Sequence, residues 1–433
     1  MMAAAAPPID LQGTAERALA LMLAQGFEQA QTSARFSQLT EINIELNRPS
    51  LLRSTQTQRL ALLGIVGGRK ADTELSDLSD AALREGVAAL HADAAGAPAD
   101  EANAVSSGEH AQIVQGPQEA DIDLLAAKVQ ERLDFRASHT PGMQLTESLA
   151  AHTLVQSCTL TSGGSQLSSR IGTQTLFASG CARDGQRASS FNGAGGCTHD
   201  LAATPAQAQF GIEAMLRESE RQVHTQPLHA HFSGDAVLTP YAVDDLLQWL
   251  RGQLSDDRLI AGTSLYARSV GQSIASPLLN LASRFDAPGV AAISADAFAT
   301  PAVEVLTGGV LRCLTPSLYA SRKTGLPHVP MASGGWSLAA GSTPLAALLG
   351  DVRQGVLVGR VSMGSPGPGG DFSAVCKNSF LLQGGETGCA LSGTMMAGNM
   401  ARMLEAVLAV SAERIDTGDW QLPWLRIGGL HFS

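Results

Sequence analysis

At 433 residues, with 44% hydrophobic and 16% charged positions, the chain is long enough for two or three globular domains and too apolar to be disordered. A formal net charge of −11, with no clustered run of Lys and Arg, argues against a nucleic-acid partner. The segment from Met1 to Asp10 has neither the positive residues nor the apolar core of a signal peptide, and no stretch approaches the roughly eighteen apolar residues of a membrane helix, so a soluble cytoplasmic protein is expected.

From Asp10 to Gly26 the positions Leu11, Ala15, Ala18, Leu19, Met22 and Leu23 follow helical spacing, and Gly26 is a C-terminal stop. Between Ala34 and Gly67 short runs such as Glu41 to Leu46 and Leu60 to Val66 read as strands. Leu78-Ser79-Asp80 then caps a helix through about Ala92, because the side chains of Ser and Asp accept hydrogen bonds from free helical N–H groups. Residues 93 to 118, rich in Ala, Gly, Ser and Pro, read as a linker or exposed loop. Helical spacing resumes from Asp121 to Leu133, and Leu145 to Leu154 forms another candidate segment. After Cys158 a β meander is expected, with turns at Ser162-Gly163-Gly164 and Arg183-Asp184-Gly185, ending in a flexible Asn192 to Gly196. A helix from Ala206 to Val223 leads to a second boundary near Thr225 to Gly234.

In the remaining residues Val237-Leu238 predicts a short strand and Tyr241 to Leu254 a helix. Val290 to Ile293, Gly309 to Leu311, Leu357-Val358 and Phe380 to Gln383 then predict a curved, mostly antiparallel sheet. The fold class is α+β, with an N-terminal domain over 1–105, a middle domain over 119–225 and a β-rich domain over 232–433.

The chemistry-bearing residues are sparse. The six cysteines, at 158, 181, 197, 313, 376 and 389, form no Cys-x-x-Cys pair and read as reduced, buried side chains. None of the ten histidines is followed by Glu, and His224 and His229 are separated by Pro227, which breaks a helix. His229-Ala230-His231 on a strand would place both rings on one face, but a metal needs a further converging ligand. The glycine-rich loops at 162–165, 193–196 and 364–370 lack the phosphate-cradle patterns and read as turns. No Gly-x-Ser-x-Gly elbow surrounds Ser264.

The strongest signal is the order of short motifs from Gly359 to Leu404. Gly370-Asp371-Phe372-Ser373 is followed by Phe380-Leu381-Leu382, the turn Gln383-Gly384-Gly385-Glu386, and Ala397-Gly398-Asn399 before an amphipathic helix starting near Met400. This succession, with Gly262-Thr263-Ser264-Leu265, Ser294-Ala295-Asp296, Gly308 to Leu311 and Leu318 to Gly325 before it, resembles the TldD/PmbA (TldE) family, a two-chain zinc peptidase. The resemblance implies a zinc-bearing chain with His-Glu-x-x-x-His, in which metal and carboxylate activate water, paired with a related chain lacking the metal. In the stretch from Asp235 to Leu254, where zinc-bearing chains place that helix, this sequence has Tyr241-Ala242-Val243-Asp244-Asp245-Leu246-Leu247 and no histidine. It also departs from the family at Ala297 to Thr300, at Pro366 and Pro368, and after Ile427 to Leu430, where no late cysteine follows.

The resemblance therefore implies the metal-free TldE/PmbA-like subunit of a heterodimeric zinc metallopeptidase. Zinc and general base are expected in a TldD-like partner, and unfolded or modified peptides in a shared cavity. The candidate substrate-binding or interface residues are Gly262, Thr263, Ser264, Asp371, Phe372, Ser373 and Asn399, with no catalytic or metal-binding residue in this chain. The alternatives are a self-sufficient peptide- or natural-product-maturing enzyme using a site such as the His229 and His231 pair, and a non-enzymatic binding or scaffold protein.

Overall fold

The computed structural model describes residues 10–331 and 335–433. Most of the segment read for a leader, residues 1–9, lies outside them. The first half begins with α1 (Leu11–Gln25), closed by Gly26 in the left-handed region as its composition predicts. A long hairpin follows, β1 (Gln29–Glu45) and β2 (Arg48–Val66), joined by Leu46 and Asn47, both at positive φ. Then come β3 (Arg69–Leu75), α2 (Asp80–Gly96), β4 (His110–Gln115) and α3 (Ile122–His139). β5 (Met143–Leu145), β6 (Ser148–Thr161), β7 (Gln166–Asp184), β8 (Arg187–Ala188), β9 (Asn192–Thr198) and α4 (Ile212–Arg221) complete this half.

These strands form one sheet in the order β3-β2-β1-β6-β7-β4, with β5, β8 and β9 also paired to β7. Because β1 pairs with β6 from Gln31↔Thr161 to Ile44↔Ser148, the boundary expected between 105 and 119 crosses a shared sheet. One helical layer, α1 and α2, covers one part of it around Leu60, Leu62, Leu83 and Leu90, while α3 and α4 cover another around Leu125, Leu176, Ile212 and Leu216. Only β1 flanks β2 from Leu51 to Arg59 among the described residues, so the outer edge of this stretch carries free backbone donors and acceptors.

Three local readings are corrected here. Residues 93–118 are not a linker: α2 runs to Gly96, β4 pairs in parallel with β7, and the Pro117 carbonyl meets His152 Nε2 at 2.7 Å. Leu145 to Leu154 is the end of β5 and the start of β6, with β5 paired to β7 and β6 held between β1 and β7. Asn192 to Gly196 is strand rather than a flexible end, because its glycines let the second half approach closely: a Cβ on Gly196 would lie 2.4 Å from the Thr417 carbonyl.

The second half opens with β10 (Thr225–Gln226), β11 (Phe232–Leu238) and α5 (Pro240–Leu254), whose Pro240 sits in the first turn, where no N–H is needed. It continues through α6 (Asp256–Ile260), β12 (Leu281–Ser283), β13 (Glu304–Thr307), β14 (Val310–Leu311), α7 (Leu318–Thr324), β15 (Trp336–Leu338) and α8 (Leu345–Gly350). The last elements are β16 (Gln354–Val358), β17 (Arg360–Ser362), β18 (Asp371–Lys377), β19 (Phe380–Gln383), β20 (Glu386–Leu391), β21 (Met395–Asn399), α9 (Met400–Glu405), β22 (Val407–Asp416) and β23 (Gln421–Phe432). Their sheet is mostly antiparallel, with parallel pairs β11–β16, β10–β20 and β15–β23. Val290 to Ile293, expected as a strand, is a bend in which Ile293 makes a single bridge to Ala299. No helix of the described residues is long and apolar enough to cross a membrane.

The halves are tied by polar contacts at α7, where Lys323 Nζ and Tyr319 OH reach Asp100 Oδ2 at 2.6 and 2.8 Å. Arg322 Nη2 donates to the Glu101 carbonyl at 2.9 Å and Gln31 Nε2 to that of Ala295 at 3.1 Å.

Gly172 is where the segment before α3 presses hardest on the first sheet: a Cβ there would sit 1.6 Å from the Pro117 carbonyl oxygen. Gly172→Ala is therefore expected to lower unfolding stability by about 2–3 kcal/mol, as overpacking against fixed backbone does. Chemical denaturation of the two proteins checks this, and a loss under about 0.5 kcal/mol contradicts the close approach.

Candidate functional site

Helix α5 is the natural centre of the site, because it carries Leu246, Leu247, Leu250 and Leu254 into the second core while its polar residues meet both halves. At its N-terminal end Tyr241 OH donates to the Phe210 carbonyl at 2.8 Å and accepts from Gly195 N at 3.3 Å. The Arg360 guanidinium lies 4.3 Å above the Tyr241 ring. One turn on, Asp245 borders a narrow apolar pocket with Met363, Phe372, Met396, Met400 and Met403. Burial, reinforced by neighbouring Asp244, pushes the Asp245 carboxyl up to about 6, against the opposing pull of Arg360 and the Val361 amide.

The residues at 371–373 and Asn399 are brought together by the β18–β21 register, which sets Asp371 opposite Asn399, Phe372 opposite Gly398 and Ser373 opposite Ala397. Asn399 Oδ1 accepts from Arg402 N at 3.1 Å and caps α9, while its Nδ2 donates to the Gly369 carbonyl at 2.8 Å and to Asp371 Oδ1 at 2.9 Å. Gly370 turns the preceding loop at φ 92°, and a Cβ on it would lie 3.1 Å from the Trp249 ring. Asp371 and Ser373 are exposed; Phe372 is half-buried and lines the methionine pocket.

Gly262, Thr263 and Ser264 form a turn after α6, with the amides of Thr263 and Ser264 both donating to the Arg258 carbonyl and Ser264 Oγ accepting from Tyr266 N at 3.1 Å. Among the described residues no hydrogen bond links this turn to 371–373. Tyr266 packs edge-on against Trp249 at 6.2 Å between ring centroids, and Trp249 packs in turn beneath Gly370.

The histidine group does not assemble. His224 is tied to Asp184 at 3.0 Å and to Arg187 at 2.8 Å, and His229 and His231 lie ahead of β11 rather than on it, with His231 edge-on to His431. No three His, Cys, Asp or Glu among the described residues are gathered as a metal ion requires, and α5 offers carboxylates but no imidazole.

A second concavity, of about 500 Å³, opens at the seam between the halves. It is walled by Gln31, Leu63 and Lys70 on the first sheet, Arg251 and Asp256 at the α5–α6 junction, and Asp296, Leu318 and Tyr319 beside α7. No motif announced Lys70 or Arg251: Lys70 follows Arg69 in an ordinary strand, and Arg251 is a single cation in a helix.

Residues 233–433 match the family model described as PmbA/TldA metallopeptidase C-terminal domain. Among solved structures the chain is similar to TldE from Thermococcus kodakarensis, with a TM-score of 0.81, 17% identity, and coverage of 97% of this chain and 100% of that one. It is also similar to a Bacteroides thetaiotaomicron protein described as a candidate modulator of DNA gyrase, with a TM-score of 0.83, 18% identity and 98% coverage of both chains. A Thermotoga maritima protein of the same description gives a TM-score of 0.75 at 14% identity, covering 98% of this chain and 100% of that one. No curated protein matches the chain.

A raised folded-state pKa means that the folded chain holds the Asp245 proton more tightly than the unfolded chain does. Its contribution favours the folded state at acid pH and is lost as pH rises from 3.8 through about 6. Asp245→Asn removes that titration, so its melting temperature is expected to gain on the parent as pH climbs through this window and to show no gain near pH 4. A constant difference across the window would show that the carboxylate is not held in this environment.

Proposed function

We propose, from the match of residues 233–433 to the PmbA/TldA metallopeptidase C-terminal domain and from a fold shared with TldE along the chain, that this protein is the metal-free, TldE/PmbA-like subunit of a heterodimeric zinc metallopeptidase. The observation that carries the reading is α5, which holds Asp244 and Asp245 and no histidine in the region where the zinc-bearing chains carry their motif. In this reading a cytoplasmic TldD-like partner supplies zinc and the general base, and this chain supplies part of the wall of a shared cavity.

Unfolded or modified peptides are the proposed substrates, taken up by strand addition, where backbone hydrogen bonds give affinity with little dependence on sequence. The open outer edge of β2 from Leu51 to Arg59 supports that mode of capture. Gly262, Thr263, Ser264, Asp371, Ser373 and Asn399 are proposed to face the partner or the peptide, with Phe372 anchoring the β18 end from inside.

The isolated chain is expected to carry no stoichiometric zinc by elemental analysis after dialysis, and peptide hydrolysis is expected only when a zinc-bearing homologue with His-Glu-x-x-x-His is added. Chelator should abolish that activity. About one zinc per chain, lost in His229→Ala or His231→Ala, would overturn the reading in favour of a self-sufficient enzyme. So would chelator-sensitive hydrolysis by this chain alone. Asp371→Ala, at an exposed position, is expected to reduce turnover by the pair while leaving the melting temperature of the single chain nearly unchanged.

A further inference from the structure

The charged side chains of α4 are committed, with one exception. Arg217 pairs with Glu213 at 2.8 Å, and Glu220 Oε1 accepts from Gly142 N at 2.7 Å. Arg221 crosses to the second half, where its guanidinium lies 4.2 Å from the centroid of the Phe380 ring and donates to the carbonyls of Thr387 and Gly388. Among the described residues the Glu218 carboxyl makes no hydrogen bond and no ion pair, although it too faces the second half.

Glu218 is half-buried and lines a pocket of about 40 Å³ between the halves, room for a water or two rather than for a ligand. Asn192, Gly193 and α4 form its wall on one side, and residues of the second half, Tyr241, Arg360 and Trp424 among them, close it on the other. Arg360 and Tyr241 are the charged or titratable groups that share the wall with Glu218, and both are engaged. Arg360 Nε donates to Asn192 Oδ1 at 3.3 Å and its Nη2 to the Gly193 carbonyl, with the guanidinium over the Tyr241 ring. A carboxylate held here has lost water without gaining a cation, so burial pushes the Glu218 carboxyl up to about 7 against the weaker pull of Arg221. Opening the seam at α4 removes the second half's part of the wall and returns the group to water.

We propose that Glu218 is a proton-operated latch on the seam, which lets the halves close at α4 when it is protonated and loosens them there when it is ionised. The closed seam binds the proton more tightly than the open one, so closure is favoured at acid pH. That advantage is complete below the ordinary value of 4.5 and is lost as pH rises through about 7. The latch acts within this chain and needs neither the metal nor the partner, so its failure leaves the subunit reading intact.

Amide hydrogen exchange of the full-length chain, read by mass spectrometry and corrected for the intrinsic pH dependence of exchange, tests the proposal. Strand β9 is the reporter, because Gly195 N donates to Tyr241 OH at 3.3 Å and Cys197 N to the Thr417 carbonyl at 2.8 Å, both across the seam. Its protection is expected to fall at least about tenfold between about pH 5 and 7.5 and then level off, while that of β6, inside the first sheet, holds. Glu218→Gln, which keeps the shape without the charge, should abolish the fall, and Asp245→Asn should leave it in place. No fall in the parent, a fall that persists in Glu218→Gln, one that Asp245→Asn abolishes, or one that β6 shares equally overturns the latch.

Discussion

Helix α5 is buried in the core of the second half, and Tyr241 at its N-terminal end is the residue through which it also meets the first. Its ring packs against the apolar clusters of both halves, its hydroxyl is satisfied by Phe210 and Gly195 from the first, and Trp420 meets it edge-on from the second. A phenol withdrawn from water in this way must find partners, and burial pushes its ionisation upward. The rest of the helix inherits its placement from that end. Trp249 supports the Gly370 turn, Asp245 faces the methionine pocket, and Arg251 reaches the seam.

What was legible in the sequence was what depends on neighbours along the chain. Ser79 caps α2, Gly26 closes α1, Asn399 caps α9, and the turns at Ser162 to Gly164 and Arg183 to Gly185 join the strands they were expected to join. The pairing of β1 with β6 left no such mark, because partners as distant as Ile44 and Ser148 share nothing local. β4 was hidden for a different reason: Val114 stands exposed in it, and a short strand with little apolar burial resembles a loop in composition.

The candidate site divides along the same line. Asp371 and Asn399 were each recognisable as turn or cap residues, but their mutual hydrogen bond is a product of strand register, and register is a three-dimensional fact. Gly262 to Ser264 belong to a separate turn, separated from 371–373 by the edge-on rings of Trp249 and Tyr266. Lys70 and Arg251 carried no signal because neither belongs to a pattern whose spacing can be read, and only the meeting of the two halves brings them to one cavity.

The β1–β2 hairpin leaves a sheet edge open, with Leu51 and Leu52 exposed beside it, and such an edge is a template for a second copy of the same strand. Arg53, anchored to Glu41, and Arg59, near Glu74, stand along this stretch of β2. Because each arginine already has a carboxylate from a neighbouring strand, the charge along this stretch is offset within the chain, and what the edge offers an incoming strand is its backbone hydrogen-bonding groups and the apolar side chains beside them.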